Sequence, residues 1–91
     1  MSPTTTPAAA PVDDLRSRID AIDAELVSLV EERCRISAAI QQTRMAAGGP
    51  RVVHAREAEI VAHWRARLGA PGGRIALALL ELGRGRVRPG D

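Results

Sequence analysis

The chain has 91 residues, of which 45% are hydrophobic but only 1% aromatic, and its formal net charge is +2 at pH 7. That length allows one small domain with a marginal core, for which oligomerisation is the natural remedy. One cysteine, Cys34, excludes an internal disulfide and fits a reducing cytoplasm, and no stretch has the apolar length of a signal peptide core or a membrane span.

The charge is uneven. Residues 1–43 carry four Arg against seven acids, a sum of −3, whereas residues 44–91 carry nine Arg against four acids, a sum of +5. All the cations are Arg, which points to an anionic partner such as nucleic acid, phosphate or a carboxylate-bearing metabolite.

Residues 1–11 hold Pro, Thr, Ser and Ala without charge, and read as a disordered tail ahead of a domain over residues 12–91. A first helix is expected from near Asp13, whose carboxylate caps the first turn, to about residue 46, where Gly48, Gly49 and Pro50 stop it. Along it Leu15, Ile19, Ile22, Leu26, Leu29, Arg33, Ile36 and Ile40 recur at alternating spacings of four and three, the mark of one packed helical face. A cation within such a face must be paired, so something anionic is expected to meet Arg33 there. At 1.5 Å per residue the helix is roughly 50 Å long, too long to bury its stripe against its own short partners, and it calls for a second copy.

A second helix follows over about residues 55–68, with Ile60, Val61, Trp64 and Leu68 as its apolar face. The stretch Gly69 to Gly73, with Pro71 inside it, reads as a break. A third helix over about residues 74–82 is apolar nearly all round, which predicts burial between neighbours. Residues 84–91 are rich in Gly and Arg and are expected to be flexible. With no strand pattern and no repeat, the class is all-α: three helices, one of them very long.

Arg33 and Arg44 lie three helical turns apart and project within about 20° of each other. Arg16 precedes Arg33 by roughly 25 Å along the axis and is turned by about 100°, too far for one small ligand to bridge. In an antiparallel pair crossing at the midpoints, residue 16 of one helix lies level with about residue 43 of the other. Arg16 of the partner subunit then reaches the Arg33 to Arg44 region, and two equivalent shared sites result. Arg56 and Glu57, at the entry of the second helix, add a cation and an acceptor. Four Arg and one Glu suit a small dicarboxylate that bears a hydroxyl, because the guanidinium binds carboxylates bidentately and keeps its charge when desolvated. No nucleophile and base pair stands out, which favours catalysis by positioning and electrostatics.

Simpler readings exist for each residue. Arg33 can serve an internal salt bridge to Glu25 or Glu57. Arg18, Arg35, Arg65 and Arg67 read as surface charges, Arg51 is unassigned, His63 faces solvent, and Cys34 is a small packing residue. His54 and Glu57 are too few for a metal site. The ending Arg84-Gly85-Arg86-Val87-Arg88 suits a nucleic-acid backbone, but without Phe or Tyr there is no stacking platform, so nucleic-acid binding is not expected.

Leu15, Arg16, Ile19, Asp20 and Asp23, then Leu29 to Arg33, Ile40 to Arg44 and Val53 to Glu57, resemble in order and spacing the all-helical (AroQ-type) chorismate mutases. The likeness covers about residues 13–86. It is greatest to the short actinobacterial subclass, including the Gly48-Gly49 loop and the Gly83-Arg84-Gly85-Arg86 ending. The resemblance implies an intertwined helical homodimer that rearranges chorismate to prephenate without a cofactor, on the way to phenylalanine and tyrosine. It implies that Arg16 of the partner subunit and Arg33 hold the carboxylates, with Arg56 on the carboxylate side. Arg44 stands by the ether oxygen, Glu57 holds the ring hydroxyl, and the Val53 backbone meets that hydroxyl. It also implies activation by a DAHP synthase through the C-terminal segment 84–91. Many relatives place a polar third-helix side chain, often Gln, at the ether oxygen; this chain offers Glu81 as the candidate. A 4-amino-4-deoxychorismate mutase or an isochorismate-pyruvate lyase of the same fold would use a similar Arg cage, and the Arg56-Glu57 pair favours a mutase.

Overall fold

A computed structural model describes residues 11–50 and 53–84. Residues 1–10, 51–52 and 85–91, and with them most of the expected tail and ending, lie outside the described residues. Three helices follow in order: α1 over Val12–Ala46, α2 over His54–Leu68 and α3 over Ala70–Gly83. Among the described residues there is no strand, and no helix is long and apolar enough to cross a membrane.

Helix α1 begins one residue before the expected start. Pro11 is extended at φ −60° and ψ 146°, and its carbonyl accepts the Leu15 N–H at 3.1 Å. Asp13 therefore lies inside the first turn with Asp14 instead of capping it, where both still complement the positive end of the helix dipole. At the other end Gly48, at φ 84°, turns the chain, and the Gly49 N–H returns to the Arg44 carbonyl at 2.8 Å. Val53 then precedes α2, its carbonyl accepting the Glu57 N–H at 3.1 Å.

The expected break over 69–73 shrinks to one residue. Gly69, at φ 76° and ψ −162°, alone interrupts the helices, and α3 starts four residues before the predicted position. Pro71 sits in the first turn of α3, where a missing N–H is harmless. Gly72 and Gly73 are buried helical residues. A Cβ on Gly72 would meet the Trp64 carbonyl oxygen and come within 2.7 Å of the Leu68 Cβ. These glycines permit close approach of α3 to α2; they do not end a helix.

The core of the single chain is small: Ala76, Leu79 and Leu80 of α3 are the buried hydrophobic residues among those described. The apolar run of α3 is thus only half covered, since Ile75, Leu77 and Leu82 remain exposed. Helix α1 buries no residue. Its stripe is open, with Ile19 57%, Leu26 52% and Ile36 53% accessible. The radius of gyration is 17.2 Å, against about 12 Å for a compact chain of this length.

Candidate active site

Helix α3 touches both of the others, whereas no Cα of α1 lies within 8 Å of one in α2. The gap this leaves is a cavity of about 270 Å³, walled on one side by α1, on the other by Val53 and α2, and closed by the end of α3. From α1 come Arg33, Ser37, Gln41 and Arg44, spaced four, four and three apart on one helical side. The α2 wall supplies Arg56 and Glu57, with the Val53 side chain at its entry, and α3 supplies Leu80 and Arg84. Ile36, Ile40 and Ile60 make the remaining surface apolar.

Of the residues picked out in the sequence, Arg33, Arg44, Val53, Arg56 and Glu57 are brought to this one cavity. Arg16 is exposed and does not line it within the same chain. Glu81 is exposed and does not line the cavity; the polar side chain that lines it at the end of α3 is that of Arg84. The internal pairing considered for Arg33 is absent: among the described residues neither Glu25 nor Glu57 lies within salt-bridge distance of it. Arg18, Arg35, Arg65, Arg67 and His63 are exposed as expected, and Cys34 is half-buried with its thiol free.

Glu57 is engaged by Arg84, whose Nη2 donates to its Oε1 at 2.8 Å; the two side chains are 21% and 36% accessible. Arg56 pairs with Glu59 at 3.4 Å in the open, with both side chains more than 65% accessible, and such a pair is weak enough for a ligand carboxylate to displace. The cavity wall therefore carries four guanidinium groups against one carboxylate, in a space that suits a small ligand. That arrangement attracts a compact polyanion and offers Glu57 as a hydrogen-bond acceptor.

Arg84, Gln41 and Ser37 were not picked from the sequence as residues of this site. Gln41 and Ser37 lie eight and four residues from Arg33, on the side of the helix that also carries Arg44, but a search for apolar residues and cations passes over an amide and a hydroxyl. Arg84 falls in the ending expected to be flexible because that ending is rich in Gly and Arg; its position four residues after Leu80 is the available signal.

The family model for chorismate mutase type II matches residues 15–79. The intracellular chorismate mutase of Mycolicibacterium smegmatis is 41% identical over 85 residues, which cover 93% of this chain and 82% of that protein. That of Mycobacterium tuberculosis is 46% identical over 76 residues, covering 84% of this chain and 71% of it. A similar solved structure is a non-covalent complex of DAHP synthase and chorismate mutase from Corynebacterium glutamicum with a bound transition state analog. It matches with a TM-score of 0.79 and 38% identity over 85% of this chain and 93% of that one.

Proposed function

The chain belongs to the chorismate mutase type II family, isomerases that turn chorismate into prephenate, and we propose that two copies of it share each active site. The observation that carries the reading is the convergence of Arg33, Arg44, Arg56 and Glu57 on one cavity beside a bare apolar stripe. Around α1, the stripe and the side that faces α3 are offset by about 80°, and Arg33 and Arg44 lie where they meet. A second copy laid antiparallel on the stripe covers Ile19, Ile22, Leu26 and Leu29. It sets Arg16 of the partner subunit level with about residue 42, beside the cavity. The result is an intertwined homodimer with two sites.

In each site Arg33 and Arg16 of the partner subunit hold the substrate carboxylates, assisted by Arg56. The rearrangement breaks the ether C–O bond and forms a C–C bond within one molecule, so no group is transferred to the protein. Charge grows on the ether oxygen as the bond breaks. The Arg44 guanidinium meets it there, stabilising the transition state more than the ground state. Glu57 accepts the hydrogen bond of the ring hydroxyl, alongside the Val53 backbone. Arg84 occupies Oε1 of Glu57 and leaves the carboxylate further lone pairs for that hydroxyl. A guanidinium so near also favours a neutral hydroxyl over an ammonium at this position, which supports chorismate over its 4-amino analogue.

We extend the reading to a partner. The similar mutase from Corynebacterium glutamicum was solved in complex with DAHP synthase, and Arg84, the first residue of segment 84–91, lies in the wall of the site and binds Glu57. A synthase that grips residues 84–91 would act on Glu57 directly, raising activity and coupling it to the supply of the aromatic amino acid route in the cytoplasm. The test is the loss of chorismate absorbance with and without a DAHP synthase from the same organism. Turnover to prephenate that rises several-fold with the synthase is expected; a rate the synthase leaves unchanged would refute the partner, and no turnover in either condition would refute the site.

A further inference from the structure

The carbonyl of Gly83 belongs to the last turn of α3, where helical carbonyls have no partner within the helix. No basic side chain of that turn serves it. Two side chains of α1 do: the Ser37 hydroxyl donates to it at 3.0 Å and the Gln41 amide at 2.7 Å, while the same amide lies 3.5 Å from the Ser37 oxygen. Gly83 is buried, and a Cβ there would stand 3.0 Å from the Ser37 oxygen and 3.9 Å from a guanidinium nitrogen of Arg33. The absence of a side chain lets the end of α3 come this close to α1. The next residue, Arg84, makes the 2.8 Å bond to Glu57.

This cap joins the two walls of the cavity. Helices α1 and α2 do not approach each other directly, so the separation of Arg33 and Arg44 from Glu57 is set through α3. Along α2, α3 is fixed by close packing at Gly72 and Gly73; at α1 it is fixed by two hydrogen bonds to one carbonyl. We propose that Ser37 and Gln41 are positioning residues: by capping α3 from α1 they fix Arg84, and through Arg84 they hold Glu57 at the working distance from Arg33 and Arg44. The inference rests on the site described above and adds two residues that act without touching the substrate. Sub-ångström placement matters here because the rearrangement is accelerated by orientation and fixed charge.

The test is steady-state kinetics on chorismate for Gln41→Met, which keeps length and helical preference but cannot donate, and for Ser37→Ala, singly and together. Each is also made in an Arg84→Ala background, with circular dichroism and sedimentation confirming fold and assembly. The double variant is expected to lose about tenfold in kcat/KM, mostly in kcat, in the otherwise native chain. In the Arg84→Ala background it should lose less than about twofold, because residues acting through one another are not additive. Ser37→Thr, which keeps the hydroxyl, should restore the native rate. Where the double variant does not fold, Gln41→Met alone is read by the same criteria. An equal loss in both backgrounds would overturn the proposal by showing that the amide acts on the reacting atoms itself. No loss in either would overturn it by showing that the cap is irrelevant to the reaction. Arg33→Ala, run in parallel, separates the two readings: if it is inactive while the cap variants are native-like, only the cap fails, and if it is fully active the site itself fails.

Discussion

Residues 12–29 of α1 and residues 30–46 of the same helix carry one apolar rhythm, yet they meet different surroundings. In the first stretch every residue except Leu15 is exposed. In the second, Val30, Arg33, Cys34, Ser37, Ala38, Gln41 and Arg44 are half-buried on the side turned to α3. A helical stripe thus tells which face will be covered, and leaves open whether the cover comes from the same chain or from another. Here the second stretch is positioned by its own α3, and the first is bare in the single chain, where we propose that a copy packs. Arg33 and Arg44, at the border of the two sides, belong to both.

The sharpest way to break this division is at its border. Arg33→Ala is expected to lower kcat/KM by on the order of 10³ while the chain stays folded, since it removes a fixed cation from the site. Mixed and reassociated with Arg16→Ala, it should recover roughly a quarter of native activity, because half of the dimers are then mixed and each mixed dimer has one complete site. Retained activity in Arg33→Ala would remove that residue from the site, and no recovery on mixing would mean that the chains do not share sites. The bare stretch is probed by Leu26→Asp, which in a lone chain would sit harmlessly in water. Against a second copy it buries a charge, and sedimentation velocity should show dissociation with an activity loss on the order of 10² at micromolar concentration. Ala39→Asp, on the exposed side away from the stripe, should change association and rate by less than about twofold. The smallest expected change sharpens the contrast from the packed side. Gly72→Ala forces a methyl against α2 and should cost about 1–3 kcal/mol, read as a lowered Tm with KM unaltered at 25 °C.

Most of the fold is legible in the sequence where the signals are local. The dipole-matched ends and the Gly48-Gly49-Pro50 stop place α1 to within one residue, and the run after Val53 does the same for α2. Helix α3 was displaced because Gly72 and Gly73 look like punctuation; their reason lies on α2, where Gly72 makes room for Trp64 and Leu68 and Gly73 for Arg65. The expected burial of α3 on all sides is half met by the single chain, which leaves Ile75, Leu77 and Leu82 exposed. In the cavity, the charged residues stand out as cations within apolar periodicity. Ser37 and Gln41 do not, since their partner is a backbone carbonyl 46 and 42 residues away and no pattern in the sequence records it. Arg84 was hidden for a related reason: the Gly and Arg richness of 84–91 reads as a flexible ending, while the donors that hold the end of α3 beside the site come from α1.

The bare stretch of α1 has a consequence for how the enzyme responds to its own abundance. When each site is assembled from two copies, dilute chains hold few complete sites, and their number rises with the square of chain concentration until pairing saturates. Halving synthesis in that range removes three quarters of the catalytic capacity, so output is more steeply graded than gene dosage. On the proposed shared site, a chain fresh from the ribosome is idle until it meets another, and the flux it supports depends on how crowded the cell is with its own kind.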